Sequence, residues 1–149
     1  MDIEYDFDRF VTAQDAVYET ALAELKAGRR VSHWMWYIFP QIEGLGHSQT
    51  SAFYAISGKA EAKAYLAHPI LGPRLVECTK AAMAHAANGA PALFGTPNDL
   101  NFQSSLSLFS RAKPCDPIFE EAINAFFGGV ACQPTLETLR IAFIESLSA

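Results

Sequence analysis

The chain has 149 residues, half of them hydrophobic, which is enough for one globular domain to bury a core without metal ions or disulfide bonds. Its net charge of -5 and its eleven basic residues, mostly scattered, argue against nucleic acid as a partner, because binding to phosphate backbones needs clustered lysine and arginine. The sequence contains neither a signal peptide nor an apolar window long enough to span a bilayer, so we expect a cytoplasmic protein without a membrane partner.

The N-terminal part of the chain is predicted to form one long helix and one short helix. Apolar residues at three-to-four spacing predict an amphipathic helix over residues 7–27, and Gly28 supplies a left-handed stop. Ser32 is expected to cap a two-turn helix over residues 33–39. That helix should end there, because Pro40 disfavours a helical conformation for the residue before it.

Three further helices are predicted in the middle of the chain. Ser48 can cap a third helix, and residues 57–68 are rich in Ala, Glu and Lys, which favours a mostly solvated fourth helix. Pro69 and Pro73 are expected to bracket a turn. The apolar face that follows predicts a long helix over residues 74–87.

The last third of the chain is predicted to contain three helices. Thr96 is expected to cap a helix that runs from Pro97 to residue 112, and proline-punctuated stretches predict helices over 118–127 and 134–143. No window alternates between apolar and polar residues in the manner of a strand, and no internal repeat is present. We therefore expect an all-α fold, a single compact irregular bundle of seven or eight helices of unequal length that forms one domain over residues 1–149.

The stretch SHWMWYIFPQIEGLGHS, residues 32–48, has two interpretations. Residues 34–39 leave no polar face on a helix, and a helix that is apolar all round is normally buried as a plug in the core. Polar residues at both ends of the stretch instead resemble the lining of a small-molecule pocket. The sequence leaves both interpretations open.

If the stretch lines a pocket, its side chains suggest what the pocket binds. Trp34 or Trp36 would stack on an aromatic ring of the ligand, while Gln41 and His33 would fix its orientation. Such a pocket suits a small polar or anionic ligand, of which a nucleotide or an ADP-ribose derivative is an example.

The glycine-rich turn GLGHS gives a place for the anionic part of the ligand. Gly44 and Gly46 allow backbone amides to point the same way, and the helix that starts after Ser48 adds partial positive charge. Arg74 could add a guanidinium, although an ion pair within the protein is its commoner role. Ser105, which should face inward, is interpreted either as a small residue at a helix contact or as a polar pocket wall.

Three residues of the same stretch could carry a reaction. The imidazoles of His33 and His47 could act as general acid or base, with Glu43 as a partner. Hydrolysis of a glycosidic or phosphoester bond is the reaction that such groups would assist. No complete catalytic motif is present, so an enzyme is not required by the sequence.

The sequence predicts neither a metal site nor a cofactor. Cys78, Cys115 and Cys132 lack the CxxC spacing of thiolate zinc sites, and the four histidines form no HExxH motif. We expect ordinary reduced cysteines.

Several motifs resemble a known family. SHWMWYIFPQ followed by GLG, the pattern EA…YL.HP.LG.RL over residues 61–75, and the later FG..DL and SSLSLF are similar to motifs of a bacterial family of unknown function, some of whose members are labelled calpastatin. The resemblance covers residues 7–139 and implies a mainly helical fold without an established activity. Members of the family usually carry a basic residue at the position of Asn101 and often another at Gln103, so the resemblance implies no anion-binding helix here.

Two functions follow as hypotheses. The first is a pocket protein, with hydrolysis as an optional activity, that binds a small polar or anionic ligand. The alternative is a protein-interaction or structural module without a catalytic site, which could act through a homodimer. Phe126 and Phe127 favour the alternative, because two adjacent helical residues should not both face one core.

Overall fold

The computed structural model describes residues 5–46 and 48–148 and confirms the all-α fold. Within these residues the chain forms nine α-helices, one 3-10 helix and no β-strand. The helices are α1 (Asp8–Ala27), α2 (Met35–Ile38), α3 (Gln49–Phe53), α4 (Lys59–Ala67), α5 (Leu71–Met83), α6 (Ala90–Phe94), α7 (Asn98–Ala112), α8 (Ile118–Phe127) and α9 (Gln133–Ser148), with the 3-10 helix at Ala86–Asn88. The additional helix is α6, which at five residues is too short to show a helical period in the sequence.

Two predicted helix ends are confirmed. Helix α1 ends at Ala27, and Gly28 takes the left-handed conformation with φ 87° and donates its N–H to the carbonyls of the last turn. Ser48 caps α3, because its Oγ accepts the N–H of Ser51 at 3.0 Å and the Ser51 Oγ accepts the N–H of Ser48 at 3.1 Å.

Three other predicted boundaries are wrong. Ser32 does not cap α2, since its hydroxyl and its amide both donate to the Glu24 carboxylate, and Trp34 precedes the helix instead. Pro73 does not end a turn, because α5 already begins at Leu71 and proline is tolerated in the first turn of a helix. Thr96 makes no capping hydrogen bond, and Pro97 is the residue before α7.

Helix α7 lies at the centre of the bundle. It packs against α4, α6, α8 and α9, and most of its residues from Phe102 to Ala112 are buried. The Phe102 ring is the hub of the aromatic core, with ring centroids 4.4 Å from Phe94 and 4.9 Å from Phe39. Aromatic pairs of this kind contribute about 0.5–1.5 kcal/mol each beyond the area that they bury. Through these ring contacts, Phe94 holds α6 against α7, and Phe39 holds the end of α2 against it.

Phe126 and Phe127 both pack against the core, contrary to the expectation that two adjacent helical residues could not do so. Both are partly buried, and their rings lie 5.1 Å and 6.2 Å from that of Phe102. The structure exposes apolar side chains instead on the outer part of α9, at Phe143 and Leu147. Among the described residues, no helix is long and apolar enough to cross a membrane.

A loop over residues 42–56 is closed at its base. The Glu43 N–H donates to the Ile56 carbonyl at 2.9 Å, and the Ile56 N–H donates to the Gln41 carbonyl at 2.8 Å, which forms an isolated parallel bridge. The Arg9 guanidinium adds donors to the carbonyls of Phe53 at 2.9 Å and Ala55 at 3.0 Å. The loop carries α3, so these bonds fix the position of that short helix.

Candidate functional site

The stretch over residues 32–48 is partly core and borders two separate clefts. The buried side chains include Trp34, Met35, Ile38 and Phe39, as the plug interpretation requires. Beside its start lies a cleft of about 290 Å³, which we call the Arg30 cleft. Its lining includes Arg30, His33, Trp36, Ser48, Thr50 and Asn98.

The carboxylate of Glu24, on α1, holds the chain where it enters the Arg30 cleft. It accepts hydrogen bonds from the amides of Val31 at 2.7 Å and Ser32 at 2.8 Å, from the Ser32 hydroxyl at 2.6 Å and from Trp34 Nε1 at 3.0 Å. Desolvation raises the pKa of this carboxyl, but the four donors outweigh it and lower the pKa to about 2. Glu24 therefore stays ionised and keeps residues 31–34 in one conformation.

Arg30 brings a positive charge to the cleft without a carboxylate partner. Its Nε and Nη2 donate to the Phe94 carbonyl at 3.3 Å and 3.0 Å, and its Nη1 donates to the Ser32 carbonyl at 2.9 Å. None of the ion pairs among the described residues includes Arg30. A guanidinium has five N–H donors, and three of them are used here. The carbonyls fix its position, and its charge has no carboxylate partner among the described residues.

Three of the sequence-predicted site residues meet in the Arg30 cleft. His33 is exposed, Trp36 is half-buried, and Ser48 lies beside them at the start of α3. Trp34 lies in the core with its indole N–H on Glu24, so Trp36 is the tryptophan that borders the cleft. His47 lies outside the described residues.

Arg74 lies away from this group. It donates to the Asp15 carboxylate at 2.9 Å and to Gln14 Oε1 at 3.4 Å, and its guanidinium lies over the Tyr18 ring at 4.8 Å. The carboxylate and the aromatic ring thus both stabilise the charge of the guanidinium. The ion pair within the protein, the commoner of the two roles, is the one observed.

The glycine-rich turn has a structural explanation. A Cβ added at Gly46 would lie 2.2 Å from the Ser51 hydroxyl that completes the cap of α3, so only glycine fits there. Gly44 and Glu43 are exposed on the other side of the turn, and neither lines the Arg30 cleft. Ser105 is buried as predicted, and its hydroxyl has no hydrogen bond with the part of the chain that is described.

Gln41 borders a second cleft, of about 460 Å³, which we call the Gln41 cleft. It lies between the end of the stretch, α7 and the segment that leads into α9, and its lining includes Leu100, Asn101, Gln103 and Ser104. The stretch thus contributes His33 and Gln41 to different clefts.

Sequence patterns did not predict the polar lining residues Arg30, Thr50 and Asn98 of the Arg30 cleft, or the supporting Glu24. The adjacent arginines 29 and 30 were the one signal, as the only basic pair in the chain. No grouping of three or more His, Cys, Asp or Glu side chains that could hold a metal occurs in residues 5–46 and 48–148.

Comparisons with known proteins identify relatives without an assigned activity. The model of a family described as proteins of unknown function, DUF1810, matches residues 4–139. The crystal structure of the conserved hypothetical protein Rv1873 from Mycobacterium tuberculosis is 42% identical and has a TM-score of 0.89, covering 91% of this chain and 97% of that chain. Among curated proteins, none matches.

Proposed function

Because the chain belongs to the DUF1810 family, whose function is unknown, we propose its function from the geometry of the Arg30 cleft: it binds a small anionic ligand that carries an aromatic ring. The observation that carries the proposal is the guanidinium of Arg30, which is held in place by carbonyls and has no carboxylate partner among the described residues. A phosphate or carboxylate would supply the missing countercharge through charge-assisted hydrogen bonds.

The other lining residues suit the rest of such a ligand. The half-buried ring of Trp36 offers a stacking surface, and Ser48, Thr50 and Asn98 offer neutral hydrogen-bonding groups. A nucleotide or an ADP-ribose derivative has both the ring and the anion. The volume of about 290 Å³ is near the lower end of the range of roughly 300–1,000 Å³ for small-molecule pockets, which favours a mononucleotide over the larger ADP-ribose.

If the bound ligand is hydrolysed, His33 is the residue that we propose as general base. It is the one imidazole among the described residues that line the Arg30 cleft, and a neutral imidazole can take a proton from an attacking water. Glu43 lies outside the lining, so it does not assist in this arrangement. In this arrangement His33 would act in the reaction, whereas Arg30 and Trp36 would bind the ligand.

Calorimetric titration with AMP, ADP-ribose, adenosine and inorganic phosphate tests the proposal. We expect AMP to bind the wild type and to lose at least tenfold in affinity in Arg30→Met, since truncation of a charge-assisted contact costs 1.4 kcal/mol or more. Arg29→Met is the matched control, because Arg29 is the exposed neighbour and should retain wild-type affinity. Equal affinity in both variants, or no binding of any anion at millimolar concentration, contradicts the proposal.

Two further measurements separate binding from folding and from catalysis. Arg30→Lys keeps the charge but not the fork of donors, so it should bind AMP with intermediate affinity even if Arg30→Met loses stability through its carbonyl contacts. His33→Ala should bind AMP and ADP-ribose with little change. Product formation by the wild type that disappears in His33→Ala would support catalysis, and absence of turnover in both would reduce the function to binding.

A further inference from the structure

Gln41 is a largely buried residue that lines the Gln41 cleft. It is 7% exposed, and within the described residues its side chain makes no hydrogen bond, although its backbone carbonyl accepts the Ile56 N–H. Gln14, which is buried to a similar degree, donates to the Tyr37 carbonyl at 2.7 Å and to the Tyr65 hydroxyl at 3.0 Å. Buried polar side chains are nearly always paired in this way, because an unpaired amide loses its water without compensation. Gln41 is an exception, and because neither polar atom of its carboxamide is among the fully buried unpaired atoms, the group is accessible to a partner from the cleft.

The cleft that Gln41 lines has the size and chemistry of a site for a neutral ligand. Its volume of about 460 Å³ lies inside the range of small-molecule pockets. Its polar groups are amides and hydroxyls, among them Asn101 and Ser104, and its apolar walls include Leu100 and Val130. No Asp, Glu, Lys, Arg or His side chain is found among its described lining residues. An ion that entered would lose water without meeting an opposite charge.

We propose that the Gln41 cleft binds a neutral planar ring that has a hydrogen-bond donor and acceptor on one edge, as a nucleobase or another cyclic amide has. A carboxamide presents an N–H donor beside a carbonyl acceptor, which is the complement of such an edge, and glutamine pairs with adenine in this bidentate way. Leu100 and Val130 are exposed apolar residues of the lining, and they would contact the faces of the ring. Asn101 supplies a second amide at the rim.

This site differs from the one proposed for the anionic ligand. Arg30 and His33 do not line the Gln41 cleft, and Gln41 does not line the Arg30 cleft. The ligand of the Gln41 cleft needs no phosphate. The two proposals therefore stand or fall separately, and Arg30→Met should leave nucleoside binding unchanged.

Titration of the ¹⁵N-labelled protein with adenosine and uridine, which carry no phosphate, tests the proposal by NMR. We expect the side-chain NH₂ signal of Gln41, assigned by its loss in Gln41→Met, to shift on binding. Gln41→Met should weaken binding at least tenfold, and its melting temperature should stay near that of the wild type because the amide makes no hydrogen bond within the described residues. Gln49→Met is the control, since Gln49 is exposed on α3 and should not affect binding.

Three outcomes would overturn the proposal. The first is the absence of any shift at millimolar nucleoside, and the second is wild-type affinity in Gln41→Met. The third is a melting temperature of Gln41→Met lowered by several degrees, which would mean that the amide is paired within the folded protein. Asn101→Leu provides a second variant at the rim of the cleft, where we expect weaker binding without a change in folding.

Discussion

Replacement of Glu24 by glutamine should destabilise the protein by removing one charge while keeping the shape of the side chain. The pKa of Glu24 falls from 4.5 to about 2 on folding, and each pKa unit corresponds to about 1.4 kcal/mol, which sets an upper limit of roughly 3.4 kcal/mol. Because the carboxylate is partly exposed, solvent screening reduces this to about 2 kcal/mol. A loss of that size lowers the melting temperature of a chain of this length by about 4–8 °C.

The same shift fixes how the effect depends on pH. A folded-state pKa below the unfolded value means that the stabilisation is complete above pH 4.5 and is lost as the pH falls towards 2. Thermal unfolding followed by circular dichroism at pH 7 and at steps down to pH 2.5 would measure the difference between the wild type and Glu24→Gln. Glu19→Gln, an exposed site on the same helix, should melt like the wild type throughout. A Glu24→Gln protein as stable as the wild type at pH 7, or a difference that persists undiminished at pH 2.5, would show that the charge of Glu24 does not stabilise the fold.

Two further predictions concern the core. A Cβ at Gly72 would lie 2.1 Å from the Leu66 carbonyl oxygen, so Gly72→Ala should push α4 and α5 apart and destabilise the protein by about 1–3 kcal/mol. At Gly58 an added Cβ meets nothing within 4 Å, so Gly58→Ser should have the melting temperature of the wild type. Equal melting temperatures of the two variants would show that the contact at Gly72 relaxes. Burial raises the pKa of the Cys78 thiol to about 12, whereas Cys115 is exposed. Iodoacetamide at pH 8 should therefore modify Cys115 in the native protein and leave Cys78 unmodified until the chain is unfolded, as peptide mass mapping would report. Equal labelling of both cysteines would contradict the burial of Cys78.

The fold was largely predictable from local patterns, because most helices bury one face against the core. The apolar spacing before Gly28 and the serine at position 48 each predicted a boundary that the structure has. The errors share a cause. Ser32 could have capped a helix, but Glu24, on the preceding helix, takes its hydroxyl and its amide together. Local sequence shows which hydrogen bonds a residue can make, but not which residue from another part of the chain will lie close enough to make them.

The candidate site was harder to predict, because its residues are assembled across long separations. Arg74 looked suitable for an anion, but Asp15, 59 residues earlier in the chain, pairs with it. Arg30 has the same chemistry but forms no ion pair among the described residues, and only the three-dimensional arrangement distinguishes the two arginines. The sequence likewise could not show that the buried residues between His33 and Gln41 divide one expected pocket into two clefts.

The bridge between Ile42 and Ile56 has a consequence for how the two clefts communicate. Two backbone hydrogen bonds close the base of this loop, and amide hydrogen exchange at Glu43 and Ile56 would report a local opening that breaks both. One of those bonds ends on the backbone of Gln41, and the loop carries Ser48, so the same opening disturbs both clefts. A ligand that requires the closed loop in either cleft raises the free energy of that opening, and by thermodynamic linkage it strengthens binding in the other. The bridge between Ile42 and Ile56 would thus couple ligand binding in one cleft to ligand binding in the other.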